Sequence, residues 1–151
     1  MGPQPSRVLL RRGGILGSVT AVDVLDDTFV RAQVRDVLAG TRAGWSGWLP
    51  DLVLVVAQDR GAAGLRWVAT TRARRAAAAV TLRGTAEVWL EPVPGGTVVH
   101  LYVRLDLPPE RVGAQGLRDR RGRGRLPDRV RRTWKRGLNQ VKDQLEGEGA
   151  A

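Results

Sequence analysis

The chain has one histidine in 151 residues. Any side-chain acid–base chemistry near neutral pH centres on it, since only histidine titrates there unperturbed. That residue, His100, lies in a stretch that alternates apolar and polar side chains. Glu87 and Tyr102 come within reach if residues 80–107 form two paired strands. His100, Glu87 and Tyr102 are therefore the candidate catalytic group. A histidine on a strand also has an ordinary structural role, and that alternative stays open. The three serines, Ser6, Ser18 and Ser46, sit in no nucleophile motif. Gly13, Gly14 and Gly17 follow no strand and so form no phosphate loop. There is no cysteine, which excludes disulfides and thiolate metal sites. One histidine cannot build a histidine-rich metal site, so neither a metal nor a cofactor is expected.

A second kind of chemistry is electrostatic. The formal net charge is +10. Residues 110–136 hold eleven Arg or Lys against three acids. Arg118, Arg120, Arg121, Arg123 and Arg125 form the candidate anion-binding set. Such a run attracts nucleic acid or anionic lipid weakly and in a salt-dependent way. No aromatics are interleaved with it, so base stacking has no support. Only Lys135 and Lys142 are lysines among 25 basic residues. That bias toward Arg, with abundant Ala and Gly, matches GC-rich coding and accounts for part of the charge.

The elements that position these residues follow from periodicity. Residues 128–146 place Val130, Trp134, Leu138, Val141 and Leu145 on one helical stripe. Asp128 is its expected N-cap, and Gly147 with Gly149 its expected stop. Two strands around Pro94-Gly95-Gly96 form a hairpin. Gly17 to Leu25 reads as a first strand, with Asp26 and Asp27 ending it. Those carboxylates then cap a helix through Leu38, whose apolar face is Phe29, Val30, Val34, Val37 and Leu38. Trp45 and Trp48 follow at helical spacing, with Pro50 as the stop. LVLVVAQDRG and GLRWVATT read as further strands. Residues 1–16 read as a basic disordered tail, 108–127 as a mobile basic loop, and 147–151 as a second tail. No apolar run is long enough for a membrane span or a signal peptide, so a cytoplasmic location is expected.

The hairpin has two unlike faces. Ala86, Val88, Leu90, Val99, Leu101, Val103 and Leu105 are aliphatic. Glu87, Trp89, Glu91, His100, Tyr102 and Arg104 are polar or aromatic. The aliphatic face suits the helix stripe, because it buries no unpaired polar group. An inverted sheet is the alternative. With the aliphatic face inward, Trp89, His100 and Tyr102 point outward. They are then covered by Arg66, Arg83 and Arg104 or by a second copy in a homodimer.

This order of strand, helices, strands and a long last helix is α+β. It resembles the START-like, or helix-grip (SRPBCC), superfamily, and within it a small bacterial polyketide cyclase/dehydrase-like branch. The stretches that carry the resemblance are DDTFVRAQVRDVL, GWSGWLPDL, DRGAAGLRW, LRGTAEVWLEPVPGGTVVHLYVRLD and TWKRGLNQVKDQLE. They run from about Gly17 to Glu146, so one domain is expected over 17–146. The resemblance implies a curved antiparallel sheet wrapped around the C-terminal helix, with a ligand cavity between them. Here the sheet is shorter by about one strand. The implied pocket residues are Val88, Leu90, Leu101, Val103, Trp134, Leu138 and Val141, with Trp45, Trp48 and Trp67 at the mouth. The expected function is binding or carriage of an apolar or aromatic small molecule, lipid or polyketide-like. The alternatives are a cyclase/aromatase-like enzyme using His100, and anion or nucleic-acid binding through the Arg-rich loop.

Overall fold

The computed structural model describes residues 19–72, 81–108 and 125–150. The expected tail at 1–16 lies outside these residues, as does the basic loop from 109 to 124 with Arg118, Arg120, Arg121 and Arg123.

Among the described residues, five strands form one antiparallel sheet: β1 (Val19–Val30), β2 (Leu52–Asp59), β3 (Gly64–Thr71), β4 (Arg83–Val93) and β5 (Gly96–Leu107). Their spatial order is β1-β5-β4-β3-β2. The chain crosses from one edge of the sheet to the other between β1 and β2. Helix α1 (Val34–Thr41) and a 3-10 helix (Arg42–Trp48) make that crossing, and helix α2 (Leu126–Ala150) ends the described chain. This is a helix-grip α+β fold, a curved sheet holding one long C-terminal helix.

The inward face is the aliphatic one. Ala86, Val88, Val99, Leu101, Val103 and Leu105 are each 0% exposed. Val130, Trp134 and Leu138 of α2 meet them and are equally buried. Strand alternation then sends Glu87, Trp89, His100 and Tyr102 to the convex face. Tight pairing of β4 with β5 fixes this register, with Trp89 opposite His100 and Glu87 opposite Tyr102. Gly95 makes the turn between them at a φ of 86°, a conformation that glycine adopts without strain.

The first strand departs from expectation. Asp26 and Asp27 do not end it; β1 runs on to Val30. Val22, Val24, Asp26, Thr28 and Val30 alternate inward along it. A buried carboxylate at Asp26 is tolerated because α2 supplies a partner. Lys135 Nζ lies 2.9 Å from Asp26 Oδ1 and donates to Thr28 Oγ1 at 2.6 Å. Thr28 in turn donates to Asp26 Oδ2 at 2.9 Å. Phe29 and Val30 therefore belong to the strand, and α1 begins only at Val34.

Helix α2 is also longer than its expected 128–146. It starts at Leu126 and passes through Gly147 and Gly149 to Ala150. Asp128 sits inside its first turn and pairs with Arg131 at 3.8 Å, instead of capping the helix. Val141 and Leu145 continue the stripe but are only half buried. They run past the sheet toward α1, where a Cβ on Gly40 would stand 2.9 Å from Val141.

Candidate functional site

The expected cavity between sheet and helix is filled. Val88, Leu101, Val103, Trp134 and Leu138 are 0% exposed, so no water-sized space touches them. Trp45 and Trp67, expected at a mouth, are 0% and 3% exposed and belong to the same core. Trp48 packs edge-on against Trp134, with ring centroids 5.4 Å apart. It lies flat on the helix at Gly137, where a Cβ would come within 2.4 Å of the indole. Four large indoles, Trp45, Trp67, Trp134 and the part-buried Trp48, thus occupy the volume that a small five-stranded sheet encloses. Close packing of this kind leaves no room for a guest. The indole N–H groups of Trp45 and Trp134 find no hydrogen-bond partner among the described residues.

Open space lies instead at one end of the sheet. A cleft of about 960 Å³ is bounded by the β1–α1 corner, the β4–β5 hairpin tip and the short 3-10 turn Gly61–Ala63. Its apolar wall includes Val34, Ala62, Ala63, Leu90, Pro92 and Val93. Leu90 is the one expected ligand residue on it. A second cleft of about 890 Å³ shares Val34, Arg35 and Ala62 and extends along α1 to Leu38 and Arg42. A third, about 720 Å³, lies between α1 and the end of α2 and includes Val141.

Polar contacts hold the walls in place. Thr97 donates to the Ala32 carbonyl at 2.8 Å, pinning the corner to β5. The Arg31 amide donates to Glu146 Oε2 at 3.0 Å, pinning it to α2. The Gly61 amide donates to Asp59 Oδ1 at 2.8 Å and fixes the turn. Arg42 reaches over from the 3-10 helix, pairs with Asp59 and donates to the Gly61 carbonyl at 3.0 Å.

These pairings set the local charge. The hydrogen bond from Arg42, with that from the Gly61 amide, holds the Asp59 carboxyl below its usual range. The Arg31 amide, with Lys142, does the same for Glu146. Arg42 is thereby matched by Asp59. Arg31 and Arg35 border the first cleft without a carboxylate in its lining. Neither periodicity nor composition singled out Arg31, Arg35, Val34, Ala62 or Ala63. The expected early helix is defined by its apolar face, which does not include the two arginines.

His100 lies on the opposite, convex face. Its Nδ1 is 2.6 Å from Asp27 Oδ1 and its Nε2 is 2.9 Å from Glu91 Oε1. Its ring stacks on Trp89 at 4.6 Å and 14°. Burial alone pushes the imidazole pKa down, but the hydrogen bonds to Asp27 and Glu91 outweigh it and the net shift is upward. Both nitrogens are tied to carboxylates, so the ring has no free nitrogen and its protonated form is favoured. The expected partner Glu87 pairs instead with Arg60 at 2.7 Å. Burial and a hydrogen bond to Asp23 raise the Tyr102 hydroxyl above its ordinary pKa. His100, Glu87 and Tyr102 share the convex face, with Glu87 opposite Tyr102, but among the described residues His100 bonds to Asp27 and Glu91 and to neither of them. The structure also explains how the outward rings are covered. His100 stacks on Trp89, and Arg104, one of the arginines expected to cover the outward rings, contacts the Tyr102 hydroxyl. The large exposed apolar side chains are Leu25, opposite Tyr102, and Phe29 on β1, Val53, Val55 and Val56 on β2, and Val68 on β3. Arg125 of the basic set is exposed just before α2.

No family model and no curated protein sequence matches the chain. Several solved structures are similar to it. One is the di-domain ARO/CYC protein StfQ of the steffimycin biosynthetic pathway, at 18% identity and a TM-score of 0.48 over 93% of this chain. The chain spans 55% of that protein's length. A second is TTHA0849 of Thermus thermophilus, at 18% identity and a TM-score of 0.45, covering 79% of this chain and 95% of that one. A third is the Zhui aromatase/cyclase of a Streptomyces strain, at 9% identity and a TM-score of 0.43, covering 82% and 94%. Among the described residues no helix is long and apolar enough to cross a membrane, and no acidic or histidine cluster of metal-binding size occurs.

Proposed function

We propose that this chain binds an apolar or aromatic small molecule, as a carrier or sensor, in the cleft between the β1–α1 corner and the β4–β5 hairpin tip. The observation that carries this reading is the cleft itself. Its volume is about 960 Å³ and its walls are mainly apolar, within the roughly 300–1,000 Å³ typical of small-molecule pockets. Its floor reaches Leu90, which is continuous with the core, so an inserted ring or chain would meet buried hydrocarbon.

Calorimetric titration with 2-naphthol and with decanol tests the reading. Saturable binding of either is expected. Ala62 lines both neighbouring clefts and is exposed, so Ala62→Trp should fill them without disturbing the core. Binding should then fall by at least tenfold, about 1.4 kcal/mol. Undiminished binding by Ala62→Trp, or none by the wild type, would remove the proposal.

A further inference from the structure

The cleft is asymmetric in charge. Its apolar wall comes from the hairpin tip and the Gly61–Ala63 turn, while Arg31 and Arg35 stand together on the β1–α1 side. No Asp or Glu contributes to this cleft or to its neighbour along α1. The third arginine at these walls, Arg42, is already satisfied by Asp59. Arg35 has no ion pair and no side-chain hydrogen bond among the described residues. Arg31 donates its backbone amide to Glu146, and its charge also acts on that carboxylate through space. That carboxylate also accepts from Lys142 at 3.2 Å, so its charge is shared with a lysine. Arg35 is thus left without a counter-charge beside a greasy wall, and Arg31, which shares Glu146 with Lys142, stands four residues before it across the start of α1.

A ligand that only fills the wall would leave both cations against its own edge. A ligand with an acid at one end would satisfy them, because a guanidinium fork matches a carboxylate in two parallel hydrogen bonds. We infer that the ligand is an anionic amphiphile, an aliphatic or aromatic body bearing one carboxylate, with Arg31 and Arg35 receiving the acid and Leu90, Pro92 and Ala63 receiving the body. This rests on the proposed cleft being a ligand site and narrows its ligand class. It also assigns a specificity role to two residues outside the central core. The arginines work in partly open water, so their preference is moderate and weakens with salt.

The test compares matched probes that differ only at the head: decanoate with decanol, and 2-naphthoate with 2-naphthol. Affinities are measured by calorimetry at low and at physiological salt. For the wild type, each carboxylate should bind about tenfold more tightly than its alcohol at low salt, and the gap should narrow on adding salt. In the double variant Arg31→Gln with Arg35→Gln the gap between acid and alcohol should close. Both arginines are exposed, so the variant should keep the wild-type circular dichroism. Equal wild-type affinity for acid and alcohol would overturn the charge inference and leave the cleft reading intact. Binding of neither probe would overturn both. A carboxylate preference that survives the double variant would also overturn the inference, by placing the head elsewhere.

Discussion

The two ends of the space between sheet and helix have opposite fates. In the middle, α2 packs along β1 and the 3-10 helix, and Trp45, Trp67 and Trp134, with the part-buried Trp48, fill what the sheet encloses. At the hairpin end, α2 has run past the sheet and α1 is short, so a cleft of about 960 Å³ stays open. The contrast shows that a grip of sheet on helix does not by itself create a pocket. Whether space remains depends on how much side-chain volume each end receives. Here the aromatic bulk sits where the sheet is most covered, and small residues, Ala32, Ala62, Ala63 and Gly96, border the open end. The first region supplies stability, and the second is the one proposed for recognition.

The largest effects should come from the filled region. Leu138→Ala should lower unfolding free energy by about 2–5 kcal/mol, because Leu138 is wholly buried and its neighbours cannot collapse fully into the gap. Chemical denaturation measures this. Gly137→Ala should cost about 1–3 kcal/mol from overpacking, since the new methyl would meet the Trp48 ring at 2.4 Å. A neutral result for either would mean that the middle of the grip is looser than described.

An intermediate effect is expected at the seam of β1 and α2. Lys135→Met leaves Asp26 buried with only Thr28 as partner. Removing one member of such a pair should cost roughly 1–3 kcal/mol. Adding Asp26→Val in the same chain should recover most of that loss. A double-mutant cycle gives the coupling, and simple additivity would contradict the account.

The convex face supplies a smaller, pH-dependent effect. The folded pKa of His100 is raised above its ordinary 6.5. The stabilisation from the Asp27–His100–Glu91 cluster is therefore fully present below that value and is lost as pH rises through the folded pKa. His100→Gln should thus destabilise most in mildly acidic solution, and the difference from wild type should shrink toward alkaline pH. A penalty that grows with pH would reverse the assignment. Smallest of all, Ala62→Trp should change stability by less than about 0.5 kcal/mol, as surface substitutions usually do, even as it blocks the cleft.

Much of this molecule was readable in its sequence. The 3.6-residue stripe of α2 is complete in itself, and the hairpin declares its faces by strict alternation around Pro94-Gly95. Together they dictate that Val99, Leu101 and Val103 point inward. What could not be read depends on partners far along the chain. Asp26-Asp27 looks like a strand end and a helix cap. It is neither, because Lys135 neutralises Asp26 from a distance of more than 100 residues. The same misjudgement hid the setting of His100. Once β1 is extended, its register places Asp27 directly opposite His100. The filling of the cavity was equally hidden, since it turns on Trp48 lying against Gly137. The cleft arginines were obscured because Arg31 and Arg35 become neighbours of the hairpin only after β1 has paired with β5.

The central claim is that recognition belongs to the open end and not to the space between sheet and α2. Amide chemical-shift mapping of the protein titrated with 2-naphthoate tests it most directly. The account predicts the largest shifts at Arg31 to Arg35, Ala62, Ala63, Leu90 and Gly96, with Val88, Leu101 and Leu138 almost unmoved. Large shifts at Val88, Leu101 and Leu138, with residues 31–35 unchanged, would show that the packed middle opens to admit the ligand and would contradict it.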